Sequence, residues 1–118
     1  MNARSTNPDA KITVRFLETK EGGRKSDVVA SNYGCPLMVD GEAFDCRFLP
    51  FQEDVYHLGR TYEITIKFLR PDLALSHLSI GAQITLWEGK TIAVGTILWL
   101  RDSSQVRHAA RTEAAIAI

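Results

Sequence analysis

Strict alternation of apolar and polar residues is the feature that most constrains how this chain folds. Ile12, Val14 and Phe16 alternate with polar residues, and residues 60–69 repeat the pattern with apolar side chains at every second position. Successive side chains of a β-strand point to opposite faces, so this period indicates strands with one buried face. The alternation therefore predicts an all-β protein.

A tight turn at Asp40-Gly41 predicts the first hairpin and its register. Both central positions of a type I′ turn need positive φ, which Asp-Gly tolerates. The turn places Val39 opposite Glu42 and puts Pro36 at a non-hydrogen-bonded site. A residue without an N–H fits there if that side of the strand is an edge.

The same register makes Cys35 and Cys46 cross-strand neighbours. A disulfide remains an alternative, but a hydrogen-bonded pair is less suited to bridging, and reducing compartments disfavour it. Free cysteine packs as a small hydrophobe, so we expect two buried thiols. No cysteine or histidine pair has zinc-ligand spacing, and the sequence predicts no metal and no cofactor.

The apolar run WEGKTIAVGTILWL contains Gly-Lys-Thr at residues 89–91, which is how a phosphate-binding P-loop ends. A P-loop needs a glycine where this chain has Ile84, and a helix after the lysine. The residues that follow are β-branched and aromatic, which favours a strand. We predict no bound nucleotide and interpret 88–90 as a turn between strands at 82–87 and 91–101.

About six short strands with frequent turns predict a closed, six-stranded, Greek-key-like β-barrel, since closure removes exposed strand edges. Gly95 interrupts the last strand, as in a bent barrel strand. We expect a barrel domain over 11–101, a flexible leader over 1–10, and a tail over 102–118 that forms a short helix if it docks. Residues 72–80 are open between a helical turn and an irregular strand.

Charge and hydropathy favour no particular partner. The 118 residues include 14 basic and 14 acidic ones, so net charge gives no electrostatic case for broad nucleic-acid or membrane binding. No segment reaches the length of a membrane span, and the polar first residues lack the apolar core of a signal peptide. We therefore expect a cytoplasmic protein with no membrane partner.

The histidines and tryptophans give no catalytic pattern. The three histidines lie far apart in sequence, at His57, His77 and His108, and a catalytic set would need the fold to converge them. We predict no catalytic residue and no enzymatic activity. Trp87 and Trp99 straddle the last hairpin, and we expect one to face outward and the other inward.

Three stretches together resemble a known pattern: LETKEGGRKS (17–26), YGCP (33–36), and WEGKTIAVGTI (87–97) after a turn at Gly81. They are similar to the C-terminal β-barrel domain, domain III, of elongation factor Tu and related translation GTPases. There an acidic-Gly-Gly-Arg loop follows the first strand, a Tyr-x-Pro stretch enters the second, and a Glu-Gly-basic-Thr turn precedes the closing strand. The likeness covers about residues 11–101.

The chain departs from this family in two ways. It has no GTPase domain and no second barrel, so the resemblance implies a free-standing relative of that barrel rather than a working elongation factor. The family's Tyr-Arg-Pro becomes Tyr-Gly-Cys-Pro at 33–36, which lacks the arginine and is one residue longer.

In that family the barrel is a contact surface for aminoacyl-tRNA, the GTPase domain and the exchange factor. The resemblance implies contact residues in two loops: Gly22, Gly23 and Arg24 in one, Glu88, Gly89 and Lys90 in the other. It implies a non-enzymatic binding module that contacts a protein or a structured, tRNA-like RNA. Two alternatives stay open. The glycines serve turn geometry alone, or the chain is an immunity- or decoy-type protein that binds a toxin or mimics the elongation factor.

Overall fold

Six antiparallel strands close into one barrel in the computed structural model, which describes residues 7–102. The chain forms β1 (Ala10–Phe16), β2 (Val28–Val29), β3 (Gly34–Val39), β4 (Glu42–Phe48), β5 (Val55–Tyr56), β6 (Thr61–Phe68), helix α1 (Pro71–His77), β7 (Gln83–Trp87) and β8 (Thr91–Leu100). The barrel order is β1-β6-β4-β3-β7-β8, and β8 pairs with β1. β3, β4 and β6 are sequential neighbours and β1 lies beside β6, which is a Greek key. The predicted all-β, six-stranded closed barrel is confirmed.

The apolar residues of the period-two alternation form the interior of the barrel. In β1, Ile12, Val14 and Phe16 are buried while the residues between them are half-buried, and β6 does the same with Ile64 and Ile66. Each such side chain contributes about 1.5–3 kcal/mol when fully buried. The inward faces of the strands therefore supply the main stabilisation of the fold.

The first hairpin adopts the predicted register. Asp40 and Gly41 have φ values of 51° and 80°, as a type I′ turn requires. All five predicted pairs are observed: Val39 with Glu42, Met38 with Ala43, Leu37 with Phe44, Pro36 with Asp45, and Cys35 with Cys46. On its other side, β3 pairs with β7 only at Leu37 and Met38, so Pro36 lies where no ladder partner needs its N–H.

Gly95 allows β8 to run close between its two neighbours. It pairs with Val14 of β1 on one side and with Ile84 of β7 on the other. A Cβ atom at this position would overlap the backbone carbonyl of Thr13. Gly95 therefore permits a close backbone approach between β8 and β1, a role other than the strand bend expected from the sequence.

Asp9 ties the ends of three strands together. Its side chain is fully buried and accepts hydrogen bonds from the Phe68 N–H at 2.8 Å and from Nη2 of Arg101 at 2.5 Å. The Lys67 ammonium lies 3.8 Å from the same carboxylate. β1 begins at Ala10, so the ordered barrel starts inside the expected leader, while residues 1–6 lie outside the described residues.

Two elements differ from or add to the sequence-based expectation. Residues 72–80, which the sequence left open, contain helix α1 with Pro71 in its first turn and Ala74 and Leu75 buried. The short ribbon of β2 and β5 was not predicted, since two-residue strands show no periodicity. The expected tail helix over 102–118 lies almost wholly outside the described residues.

Within residues 7–102, no helix has the length and apolar character needed to cross a lipid bilayer.

Replacing Gly95 with alanine tests the close approach of β8 to β1. The added methyl must displace the Thr13 carbonyl, so we expect Gly95→Ala to lower the free energy of unfolding by about 1–3 kcal/mol, as overpacking does. Urea unfolding measures the change. The matched control is Val94→Thr on the exposed face of β8, with an expected effect within about 0.5 kcal/mol. Equal stability of Gly95→Ala and the native chain would contradict this account.

Removal of the Asp9 carboxylate leaves the Arg101 guanidinium and the Phe68 N–H without their partner. We expect Asp9→Ala to cost about 1–3 kcal/mol in the free energy of unfolding, the range for a buried donor left without its partner, because Arg101 is partly exposed and can turn to solvent. Thermal or urea unfolding reports the loss. Asp72→Ala, which removes an exposed pair with Arg70, serves as the control and should cost less than about 1 kcal/mol.

Candidate functional site

The two loops singled out by the sequence meet at one end of the barrel. β1 and β8 are antiparallel, so the loop after Phe16 lies beside the turn before Thr91, and the Leu17 N–H donates to the Ile92 carbonyl at 2.9 Å. β3 is antiparallel to β7, which brings Tyr33 to the same turn. Three stretches that are distant in sequence therefore form one surface.

Glu88 is the centre of this surface. Its Oε2 accepts a hydrogen bond from Nη1 of Arg24 at 2.5 Å and another from the Tyr33 hydroxyl. The Arg24 and Glu88 side chains are 23% and 30% exposed, so the ion pair is only partly open to solvent. We call Arg24, Tyr33 and Glu88 the Glu88 cluster. Within it, the charge of Arg24 already has a partner.

Burial keeps the Tyr33 hydroxyl protonated. Desolvation is the main cause that raises the pKa of Tyr33 far above its ordinary value, and the neighbouring Cys35 and Glu88 raise the pKa further. A protonated phenol can donate to a carboxylate, which is its role in the Glu88 cluster. The ring of Tyr33 packs edge-on against Phe48, with ring centroids 4.9 Å apart, and this contact fixes its orientation.

A short 3₁₀ helix, Thr19–Glu21, shapes the loop that carries Arg24. The Glu21 carboxylate accepts two hydrogen bonds from Arg15, both at 3.0 Å, and one from the Glu18 N–H at 2.8 Å. Together, the Arg15 and Glu18 contacts lower the pKa of Glu21 to about 2. The loop is thus anchored to β1 by charge and by backbone contact.

Turn geometry accounts for the three glycines of the predicted site. Gly22 ends the 3₁₀ helix with a φ of 93°, and Gly89 has a φ of 75° in the β7–β8 turn. A Cβ on Gly23 would overlap the backbone carbonyl of Leu17. These positions need glycine for the fold itself, so their presence does not by itself indicate a ligand.

Lys90 is the cation of the predicted site that the fold leaves open. It is exposed, and its backbone carbonyl accepts the Glu88 N–H at 2.9 Å, which closes the turn. Among residues 7–102 no carboxylate lies within ion-pair distance of its ammonium group. Among residues 7–102 the charge of Arg24 is therefore paired and that of Lys90 is not, although the sequence resemblance predicted both as contact residues.

A pair of thiols lies next to the Glu88 cluster. Cys35 and Cys46 are free and buried, as predicted. Hydrogen bonds from the Cys46 thiol and from the backbone N–H of Trp87 lower the pKa of Cys35, and the Tyr33 hydroxyl, which donates to Glu88, lies nearby. The contact with Cys35, together with burial, raises the pKa of Cys46. The sequence predicted the pair but not its contact with Tyr33 and Trp87.

A groove of about 740 Å³ opens beside the thiols. The start of β3 and the ends of β4 and β6 form its walls, and both cysteines contribute to its lining. Arg47 and Lys67 lie directly opposite each other across the β4–β6 pair at the groove. Sequence periodicity could not predict this feature, because it depends on non-local strand pairing.

The two tryptophans both face outward, at 43% exposure for Trp87 and 42% for Trp99, so the expectation of one inward and one outward was wrong. The β1–β8 register shifts between Lys11, which pairs with Trp99, and Ile12, which pairs with Ile97. This bulge breaks the period of two after Ile97, and Trp99 points outward instead of into the core.

The described histidines lie apart. His57 Nδ1 is 2.8 Å from the Asp27 carboxylate, and the His77 ring packs against Phe44 with centroids 5.4 Å apart. His108 lies outside the described residues. In the part of the chain that the structure describes, no three His, Cys, Asp or Glu side chains are grouped as a metal site would require.

No protein-family model matches this chain, and a search of curated proteins finds no match either. The resemblance to the elongation factor Tu barrel therefore rests on the three sequence stretches and stays a prediction. The structure shows that these stretches lie side by side, whichever family the chain comes from.

The anchoring of the Arg24 loop can be tested by titration. Because the pKa of Glu21 is lowered in the folded state, its carboxylate stabilises the fold above the ordinary value of 4.5, and this contribution is lost as pH falls toward 2. We expect Arg15→Met to move the titration midpoint of Glu21, measured by carboxyl carbon NMR, upward toward 4.5.

Lys20→Met is the matched control for that titration. The Lys20 ammonium makes only the smallest contribution to lowering the pKa of Glu21, and its side chain is largely exposed. We expect the Glu21 midpoint to stay near 2 in this variant. An unchanged midpoint in Arg15→Met would show that Arg15 does not hold the loop.

Proposed function

We propose that the protein is a non-enzymatic binding module, built on a barrel like that of the translation elongation factors, which contacts another protein. Its contact surface is the Glu88 cluster together with Trp87 and Lys90. The observation that carries the proposal is the meeting of three distant stretches around one carboxylate oxygen of Glu88. The sequence resemblance selects these same stretches.

The charge balance of the surface favours a protein over a nucleic acid. Binding to phosphates depends on cations that neutralise them, and its strength grows with the number of such contacts. The Arg24 guanidinium is already paired with Glu88, which leaves Lys90 as the cation of the predicted site without a partner among residues 7–102. The whole chain has equal numbers of basic and acidic residues.

The side chains at this surface suit a protein interface. Tryptophan, tyrosine and arginine are the residues that most often dominate binding energy between proteins. Trp87 is half exposed and lies directly before Glu88, while Arg24 and Tyr33 are held in place by hydrogen bonds. A fixed, partly desolvated cluster loses little conformational entropy on binding, and the exposed Trp87 next to it in sequence adds apolar surface.

A structured, tRNA-like RNA is the second candidate partner. The ammonium group of Lys90 and the exposed backbone of Gly89 could contact phosphate oxygens, which position an RNA without reading its sequence. Lys90 and the exposed Lys25 next to Arg24 supply few cations, so an RNA partner would bind this surface weakly without further positive charge.

The narrower version of the proposal is mimicry. If the partner also binds the elongation factor, the same surface makes this chain an immunity- or decoy-type protein that neutralises a toxin or competes with the factor. We also propose a cytoplasmic location, and the two free thiols, Cys35 and Cys46, agree with a reducing compartment.

Glu88→Gln separates the two partner classes, because it removes the negative charge that neutralises Arg24. With a protein partner, we expect capture on the immobilised full chain to fall about 30-fold in Trp87→Ala, the effect of losing about 2 kcal/mol at an interface hot spot. We expect the same captured protein to bind less to Glu88→Gln. Quantitative mass spectrometry of the captured material measures both effects.

Bulk tRNA retention on filters is the parallel measurement. An RNA partner would give salt-dependent retention that rises in Glu88→Gln and falls in Lys90→Ala. The control for both measurements is Lys11→Ala, which lies at the opposite end of β8 beside Trp99 and should behave as the native chain. Capture that is insensitive to both Trp87→Ala and Glu88→Gln would place the contact surface elsewhere.

A further inference from the structure

We propose that Cys35 and Cys46 form an oxidative modification site, at which a low-molecular-weight disulfide converts the two thiols into a reversible cross-strand disulfide. The bond would form beside the Glu88 cluster. The modification itself goes beyond the proposed function, and only its effect on partner binding rests on that function.

The strand register brings the two cysteines within bonding range. The Phe48 N–H donates to the Tyr33 carbonyl at 3.0 Å, so Tyr33 and Phe48 form a hydrogen-bonded pair. The two pair types alternate along the ladder, so Cys35 and Cys46, two residues further along each strand, form a hydrogen-bonded pair as well. Such pairs have Cα atoms about 5.5 Å apart, inside the range of about 4.4–6.8 Å spanned by disulfides. The two cysteines are direct cross-strand partners, and since a hydrogen-bonded pair is less suited to bridging, bond formation requires both side chains to rotate toward each other.

The two thiols have unequal reactivity. Cys35 is the more exposed of the two at the groove, with 7% of its surface accessible against 2% for Cys46. Hydrogen bonds from the Cys46 thiol and the Trp87 backbone N–H lower the pKa of Cys35, which favours its thiolate. Since the thiolate is the nucleophile, the accessible Cys35 is the attacking residue and Cys46 the resolving one.

The groove supplies space for the reaction. Cys35 is 7% exposed and Cys46 2% exposed, and both border the groove of about 740 Å³. A cavity of that size can hold a small organic molecule. The oxidant therefore reaches Cys35 from the groove, and the departing thiol leaves by the same path.

The exchange is balanced in two steps. The Cys35 thiolate attacks one sulfur of the small disulfide, whose S–S bond breaks and releases one thiolate. Cys46 then loses its proton to that thiolate, and its sulfur attacks the Cys35 sulfur, which releases the second thiolate. The second thiolate takes up a proton from water, which replaces the one Cys35 released on ionising, so two protein thiols are oxidised to one disulfide and the small disulfide is reduced to two thiols.

Oxidation changes the contacts that Cys35 makes with two residues of the contact surface. As a thiolate or thiol, the Cys35 sulfur accepts a hydrogen bond from the backbone N–H of Trp87 and lies near the Tyr33 hydroxyl. A disulfide sulfur is a poorer acceptor and must rotate toward Cys46, so both contacts weaken. Tyr33 and Trp87 belong to the proposed contact surface, which links the oxidation state of the pair to the shape of that surface.

The test treats the folded full chain with oxidised glutathione and follows its intact mass. We expect the native chain to lose two hydrogen atoms and to retain no glutathione, with full reversal by a thiol reductant. Cys46→Ala should trap one glutathione on Cys35, whereas Cys35→Ala should react at least about tenfold more slowly, because Cys46 is the more deeply buried thiol and desolvation still raises its pKa.

Two results would overturn the proposal. One is a folded native chain that keeps both thiols while the urea-unfolded chain reacts under the same conditions. The other is equal glutathione addition to Cys35→Ala and Cys46→Ala, after circular dichroism has shown that both are folded. The native chain needs no substitution, so the first result stands even if a variant does not fold.

A fluorescence measurement tests the link to the surface without any partner. Trp99→Phe leaves Trp87 as the sole tryptophan, because the chain has two. We expect oxidation to change Trp87 emission in this background, and to leave it unchanged when Cys35→Ala and Cys46→Ala are both added, because that chain has no thiol to oxidise. Disulfide formation without a change in Trp87 emission would keep the modification site and remove its link to the contact surface, whatever the partner-capture experiment shows.

Discussion

The fold depends on β1 forming hydrogen bonds along both of its edges. This strand pairs with β6 on one side and with β8 on the other, and without it the sheet would expose two unpaired edges. Close approach of β8 is allowed because Gly95 has no Cβ, and the buried Asp9 carboxylate holds the ends of β1, β6 and β8 together. Closure in turn decides which loops become neighbours: the loop after β1 and the turn before β8 must lie at the same end.

Features that depend on residues near one another in sequence could be predicted. The alternation of β1 and β6 gave the buried faces, and Asp40-Gly41 gave the register of β3 with β4, residue for residue. Features that depend on pairing between strands distant in sequence could not be predicted. The β2–β5 ribbon is too short to show a period, and the bulge near Trp99 breaks the period that sequence reasoning assumes.

In the candidate site, too, local sequence motifs could be predicted and contacts between distant strands could not. The resemblance selected both loops, but their contact follows from β1–β8 and β3–β7 pairing, which no local pattern contains. Arg24 and Lys90 are both basic in the sequence, and only the structure shows that Glu88 neutralises one of them. Tyr33 stood in a quoted motif but was not predicted as a site residue. An antiparallel β3–β7 pair, if assumed, would have placed it beside Glu88.

The Glu88 cluster exists only while the barrel is closed. Its three side chains come from the loop after β1, the start of β3 and the turn after β7, and they share one carboxylate oxygen. A partly buried carboxylate with two donors is more stable than one that loses a donor, since the remaining charge stays desolvated. Separation of β1 from β8 would remove Arg24 from Glu88 and disperse the surface. The surface proposed for partner contact therefore requires a closed barrel, because closure is what brings Arg24 and Tyr33 to Glu88.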